Sequence, residues 1–310
     1  MTRVVVLIAC HNRRESTVRC LRSLIGQGGP EVSVRVVLTD DGSTDGTARA
    51  AREVWPGIHV LQGNGKLFWA KAMAFAESAA GDYDFLLWLN DDVILDPGAL
   101  SDLLRTHGSL SGSDKGDLIV VGALRDPQSG AVTYSGVHRR SRLRPVQFTT
   151  VTPAERPVRA ETMNGNLVLI PRYVAQRVGQ IDARFSHGLA DFDYGLRARR
   201  LGCAVWVAPG TLGTCARNPT TGSWTDPALT VRQRMRLACA PKGLPPGSWL
   251  RFTRRHAGPV WPLYWLSPYA RLLAGAALVR MRGGARVLGS SSDTAREDPV
   301  AVRPEIPTSN

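Results

Sequence analysis

Acid is missing where base is most abundant. Between Asp226 and Asp293 the chain has no aspartate or glutamate, yet it carries Arg232, Arg234, Arg236, Lys242, Arg251, Arg254, Arg255, Arg271, Arg280, Arg282 and Arg286. Much of the net charge of +13 therefore sits in one segment, which implies an anionic partner, a membrane surface or nucleic acid. Cysteine is scarce: Cys10, Cys20, Cys203, Cys215 and Cys239 form no Cys-x-x-Cys, and their odd number reads as reduced thiols in a cytosolic chain. No secretory leader is expected, because Val4–Ala9 already reads as a strand. Long apolar runs are lacking too. Leu272–Val279 falls far short of the roughly 20 residues that cross a bilayer. With 43% hydrophobic and 21% charged residues, a mostly disordered chain and a polytopic membrane protein are both excluded. The 310 residues allow one large domain or two small ones, and no internal repeat is visible.

What is present alternates in period. Val4–Ala9 is a β-branched run of the kind buried on both faces of a sheet. Glu15–Ile25 has helical spacing, Val32–Leu38 is a second strand, and Ser43 or Thr44 can cap a helix running to about Val54. Ile58–Leu61 is a third strand, a helix follows over Phe68–Ala79, Phe85–Leu89 is a fourth strand, and Pro97 opens a helix. This alternation predicts βαβ units and a mostly parallel sheet with flanking helices. After residue 117 the pattern changes. Leu118–Ala123, Ala131–Ser135 and Val146–Thr152 read as strands separated by turns, with Arg139, Arg140, Arg142 and Arg144 in the loop between them, and a small antiparallel element is expected beside the main sheet. Asn166–Ile170 and Ala204–Val207 are further strands, Pro171 starts a short helix, and Leu189–Leu201 is a longer one. The predicted organisation is a domain over 1–225, with halves 1–117 and 118–225, a basic helical extension over 226–282, and a disordered tail over 283–310.

Ligands of a parallel sheet bind beyond the carboxyl ends of its strands. Three strands end there in polar clusters: Cys10-His11-Asn12-Arg13, Thr39-Asp40-Asp41-Gly42-Ser43-Thr44, and Asn90-Asp91-Asp92. Turn formation and capping account for Gly42, Ser43 and Thr44, but they explain two adjacent repelling carboxylates less well. A hydrophobic strand that delivers Asn90-Asp91-Asp92 to a sheet edge suits a hard divalent cation, Mg²⁺ or Mn²⁺, and hence a diphosphate substrate. Asp191 falls in the first turn of the 189–201 helix, where the macrodipole favours a carboxylate.

Taken in order, Asp40-Asp41-Gly42-Ser43-Thr44-Asp45-Gly46, Leu89-Asn90-Asp91-Asp92, and Asp191 before Arg197 and Gly202 resemble glycosyltransferase family 2, with its Rossmann-like GT-A fold, over residues 1–215. Gly65-Lys66-Leu67-Phe68-Trp69-Ala70 is similar to the rhamnosyltransferase-like branch, as is the stretch Pro241-Lys242-Gly243-Leu244-Pro245, more weakly. The resemblance implies that Ala9, His11 and Asn12 line the base and ribose, that Asp41 hydrogen-bonds the base with Asp40 supporting it, and that Lys71, Asn90 and Asp91 complete the donor site. It makes Asp92 the metal ligand and Asp191 the catalytic base, with Trp69, His187 and Asp193 in the sugar and acceptor pocket. Two positions depart from the family pattern: Asn90 opens the metal motif, and Ala190 precedes Asp191, which leaves Asp193 as a substitute base.

The reaction so implied moves a sugar from a UDP- or dTDP-sugar to a hydroxyl of a glycan, lipid-linked or small-molecule acceptor, by one inverting displacement. The setting is cytoplasmic, at the inner membrane face if the acceptor is lipid-linked. Rival readings are a nucleotidyltransferase, which would want a Gly-rich basic loop after the first strand, a non-catalytic GT-A fold that only binds, and a nucleic-acid binder using the basic segment. Arginine outnumbers lysine 35 to 4 and interleaves with Trp249, Trp261, Trp265 and Tyr269, but no recognised nucleic-acid motif accompanies them, so no nucleic-acid partner is expected.

Overall fold

The structure is a computed structural model that describes residues 1–111, 117–141 and 143–287, with side-chain surroundings as far as residue 274. The first half alternates as the sequence predicts: β1 (Thr2–Cys10), α1 (Arg14–Leu24), β2 (Val32–Asp40), α2 (Thr47–Val54), β3 (His59–Gln62), α3 (Phe68–Ser78), β4 (Phe85–Leu89), β5 (Ile94–Leu95) and α4 (Ala99–Ser111). β6 (Leu118–Arg125), β7 (Val132–Tyr134), β8 (Gly136–Ser141), β9 (Arg144–Thr150), β10 (Val158–Ala160), β11 (Thr162–Met163) and β12 (Leu167–Pro171) follow. Then come α5 (Arg172–Val178), α6 (Ala190–Arg200), β13 (Ala204–Thr214), α7 (Val231–Cys239), α8 (Pro246–His256) and α9 (Trp261–Val287).

The central sheet runs β10-β13-β6-β12-β4-β1-β2-β3. β1 pairs in parallel with β2 and β4, and β2 with β3. β12 enters antiparallel between β4 and β6, so the sheet is mixed beyond its parallel half. A small antiparallel sheet, β11-β8-β9, stands beside it. β1 is buried on both faces: Val5 and Leu7 pack with α3, α5 and α6, whereas Val4, Val6 and Ile8 pack with α1, α2 and α4. Burying each such side chain contributes about 1.5–3 kcal/mol, so the period-2 run fixes β1 at the centre.

Local details differ from the sequence expectations. α2 starts at Thr47 behind a left-handed Gly46, and Ser43 and Thr44 instead bond to Asn12. α4 starts at Ala99, two residues past Pro97. Arg139 and Arg140 lie on β8 and Arg144 opens β9, whereas Arg142 lies outside the described residues. β8 escapes a hydrophobic reading because only Gly136 and Val137 of its six residues are buried. Of the expected tail, 283–287 belong to α9 and 288–310 lie outside the described residues.

The basic extension shares the core. Trp249 and Phe252 of α8 are buried in the cluster that holds Trp88 and Tyr194. α7 opens with a Thr230–Gln233 capping box. The aromatics of α9 turn their polar atoms inward: Trp265 Nε1 donates to the Pro246 carbonyl and Tyr269 Oη to the Leu244 carbonyl, while the Tyr264 carbonyl accepts from Trp249 Nε1. Among the described residues no helix is long and apolar enough to cross a membrane.

Candidate active site

The carboxyl ends of β1, β2 and β4 meet at one edge because the parallel register sets Cys10 beside Asp40 and Leu7 beside Trp88. A cavity of about 330 Å³ opens there. β1 and the loop after it supply Ala9, His11 and Arg13, the loop after β2 supplies Asp41, the loop before α3 and its first turns supply Gly65, Phe68, Trp69 and Ala72, and the end of β4 supplies Asn90, Asp91 and Asp92. His187 enters from the loop before α6, Asn166 from the turn before β12, and Asn218 and Lys242 from the last third of the chain.

Asp41 braces one wall. Its Oδ1 accepts from the Gly65 amide at 2.8 Å, and its Oδ2 accepts from the amides of Leu67 and Phe68 at 2.9 and 3.0 Å. Gly63 leaves the room this requires, since a Cβ there would stand 2.5 Å from Asp41 Oδ1. The carboxylate assigned to the base thus holds the 63–68 loop while it lines the cavity. Asp40 is buried and accepts from the Ser43 amide, which makes it a support for the turn.

The acidic cluster divides its tasks. The Asn90 side-chain carbonyl accepts from Trp69 Nε1 at 2.8 Å. Asp92 Oδ2 meets Arg13 Nη2 at 2.9 Å, and Asp92 Oδ1 accepts from Cys215 Sγ at 3.5 Å. Asp91 is buried with Oδ2 lacking a partner in the protein. Burial pushes its carboxyl up to about 7, against the Arg13 guanidinium 3.5 Å away, with Asp92 adding to the rise. An orphaned carboxylate oxygen beside a second carboxylate is a donor set that fits Mg²⁺ or Mn²⁺. Among the described residues no group of three or more acidic, histidine or cysteine side chains could hold an ion unaided. The fit is therefore to an ion held by one or two carboxylates and completed by water and substrate phosphates.

Asp191 sits in the first turn of α6 beside Trp69. Its Oδ2 accepts from the Gly165 amide at 3.0 Å and its Oδ1 from the Phe192 amide at 2.9 Å. Burial outweighs these bonds and pushes the carboxyl up to about 6. Only glycine fits at 165, where a Cβ would come within 2.6 Å of the Trp69 ring and 3.2 Å of Asp191 Cβ.

Asp193 points elsewhere. It is fully buried and accepts from Arg197 Nε at 2.9 Å, Arg255 Nη1 at 3.0 Å and His256 Nε2 at 2.9 Å. Burial alone would raise its carboxyl, but the bonds from His256, Arg255 and Arg197 hold it below the usual range. An acceptor-pocket or substitute-base role does not fit a carboxylate so enclosed. Lys71 is exposed on α3 and stays off the cavity wall, as does Asn12, whose carbonyl binds the Thr44 amide. The non-glycine residues with positive φ among the described residues are Asn12, Phe68 and Leu189, at +50°, +55° and +74°. They stand in the loop after β1, at the start of α3 and before α6, and Phe68 among them lines the cavity.

Tyr134, Asn166 and Asn218 were not singled out by the sequence pattern, and Arg13 and Lys242, though they stand in quoted motifs, were given no place in the site. His187 lines the cavity with its Nδ1 buried and unpartnered, and burial and Lys242 both lower its imidazole.

Comparison with known proteins agrees with this geometry. The chain is 29% identical over 206 residues to the Mycobacterium tuberculosis protein named N-acetylglucosaminyl-diphospho-decaprenol L-rhamnosyltransferase, in two strains, covering 57% of this chain and 64% of that one. It thus spans less than two thirds of that relative's length. The crystal structure of GalNAc-T7 with UDP, GalNAc and Mn²⁺ superposes with a TM-score of 0.58 at 16% identity, covering 77% of this chain and 48% of that chain. The mannosyltransferase PcManGT from Pyrobaculum calidifontis, in complex with GDP-Man and Mn²⁺, gives 0.51 at 18%, covering 93% and 81%. S. aureus TarS 1–349 gives 0.51 at 16%, covering 70% and 60%. These likenesses show the GT-A fold. The profile of glycosyl transferase family 2 matches residues 5–165, and the chain belongs to that family.

Proposed function

We propose that this protein transfers a sugar from a UDP- or dTDP-sugar to a hydroxyl of a glycan, lipid-linked or small-molecule acceptor, with inversion and with Mg²⁺ or Mn²⁺ bound. The observation that carries the reading is the place of Trp69, which donates to Asn90 beside Asp91 and Asp92 and stands against Gly165, the residue whose amide binds Asp191. The relative named for rhamnosyl transfer to a decaprenol-linked acceptor supports the lipid-linked class.

Asp92, with Asp91, would hold the ion. When bound, the ion screens the charge that develops on the departing diphosphate. Arg13 and Lys242 put cations on the same walls. Asp191 takes the proton of the acceptor hydroxyl as its oxygen bonds the anomeric carbon and the nucleoside diphosphate leaves. A carboxyl near 6 is ionised at neutral pH yet more basic than an ordinary carboxylate, which suits that task. Trp69 positions the acceptor sugar between Asn90 and Asp191, and His187 offers its unpartnered nitrogen to a substrate oxygen.

The test is release of UDP or dTDP from a panel of sugar nucleotides with Mg²⁺ or Mn²⁺. Asp92→Ala should abolish it, with Asp91→Ala milder. Undiminished release in EDTA, or from Asp92→Ala, would remove the metal assignment. No release from any donor would leave a fold that only binds.

A further inference from the structure

Five of the ten exposed large hydrophobic side chains among the described residues lie on two elements far apart in sequence: Leu143 at the β8–β9 turn, and Val260, Leu263, Leu266 and Leu273 just before and along α9. Leu143 is 85% exposed, Leu263 70% and Leu266 54%. Tyr264 Oη joins the two elements by donating to the Leu143 carbonyl at 2.5 Å. Along α9 the positions 263, 266, 270 and 273 fall on one stripe, at the three- and four-residue spacing of a helix face. Leu263, Leu266, Ala270 and Leu273 are all exposed there, whereas Leu272 turns into the core. The polar atoms of Trp265 and Tyr269 are engaged inward, so leucines rather than aromatics face outward.

The charge borne by these two stretches of chain is of one sign. Exposed Arg140 and Arg144 flank the hairpin turn, and exposed Arg254 and Arg271 lie on α8 and α9. No acidic residue occurs between Asp126 and Glu155, or between Asp226 and Asp293. Behind α9 a cavity of about 350 Å³ is lined by Arg234, Arg271 and Tyr264, room enough for a phosphate headgroup.

We propose that the β8–β9 turn and the outward stripe of α9 form one docking face for an anionic lipid surface, with the leucines entering the headgroup boundary and the arginines meeting lipid phosphates. Apolar area and basic charge together are what interfacial binding requires. The proposal rests on exposure and charge and stands apart from the sugar-transfer reading, because its test involves no catalysis.

The test is co-sedimentation of the full chain with phosphatidylcholine vesicles, with and without phosphatidylglycerol, at low and high salt. Binding should require the anionic lipid and weaken with salt. Arg140→Ala with Arg144→Ala should weaken it by roughly tenfold or more. Leu143→Ser and Leu263→Ser should each weaken it severalfold, and the melting temperature of these exposed-site variants should stay within a degree or so of the parent. Equal binding to neutral vesicles, or binding to neither as for a face that takes a protein or a second copy, would overturn the proposal. Parent-like binding by the hairpin variants would overturn the composite face.

Discussion

Arg255 Nη1 donates to Asp193 Oδ1 at 3.0 Å across 62 positions of sequence, fastening α8 to the helix that carries Asp191. Arg255 Nη2 also meets Asp182 Oδ2 at 2.7 Å, and the Ser248 hydroxyl accepts from the Ser186 amide at 3.3 Å. The loop bearing His187 is thus held from both ends by the basic extension. Asp193→Asn would leave Arg197, Arg255 and His256 without their shared acceptor charge. Removing one partner of such a buried group should cost about 3–5 kcal/mol in a denaturation experiment. The folded state holds Asp193 below the usual range, so this stabilisation is present above that range and fades as pH falls through the folded value. Acid unfolding should therefore be steeper in the parent than in Asp193→Asn. Equal stability of parent and variant would show that the network carries no load.

Asp191→Asn should fold normally and lose on the order of 10²–10⁴ in rate with donor affinity kept. Because burial raises the Asp191 carboxyl to about 6, it is protonated below that pH and accepts no further proton. The parental rate should fall as pH drops through about 6. A rate that stays flat well below that value would exclude Asp191 as the base.

Asp41→Ala would strip the acceptor from the amides of Gly65, Leu67 and Phe68. The loop should loosen, at a cost on the order of 2 kcal/mol, and calorimetry should find weaker UDP and dTDP binding. Lower stability with unchanged nucleotide affinity would leave Asp41 a brace of the loop alone.

The parallel half was legible because a strand buried on both faces must read as an apolar run, and the polar residues that end it must fall at the sheet edge. That logic recovered β1, β4 and the clusters at Asp41 and Asp92. It could not choose between Asp191 and Asp193. Two residues apart on a helix lie about 200° apart, so Asp191 turns to the Gly165 amide and Asp193 to Arg255 and His256, and local sequence does not say which takes which side. Two of the partners of Asp193, Arg255 and His256, come from α8, and no local pattern reports a contact made over 60 positions. The hairpin arginines were misplaced for a related reason: β8 buries only Gly136 and Val137, too little for an alternation to show. The aromatics of α9 look like membrane anchors in sequence, yet the polar atoms of Trp265 and Tyr269 bond to the extension itself and that of Tyr264 to the β8–β9 turn.

Lys242 is the residue that the extension contributes to the cavity. It lies in the turn between α7 and α8, lines the same space as Asp41 and Asn90–Asp92, and helps lower the imidazole of His187. An exposed lysine on the wall of a cavity that also holds the Asp91–Asp92 carboxylates suits the phosphates of a nucleoside diphosphate better than its base. Its contribution should therefore grow with the number of phosphates bound. Lys242→Ala should weaken binding of UDP or dTDP by about twofold to fivefold, as for one exposed charge contact, and should change nucleoside binding little. Lys242→Arg, which keeps the charge, should recover most of the loss. The extension should keep its place in all of these variants, because its anchors are Trp249, Phe252, Ser248 and Arg255. Isothermal titration with nucleoside, monophosphate and diphosphate separates the contributions. Equal losses for nucleoside and diphosphate would mean that Lys242 shapes the cavity rather than meeting the phosphates, and no loss for either would place it outside the site.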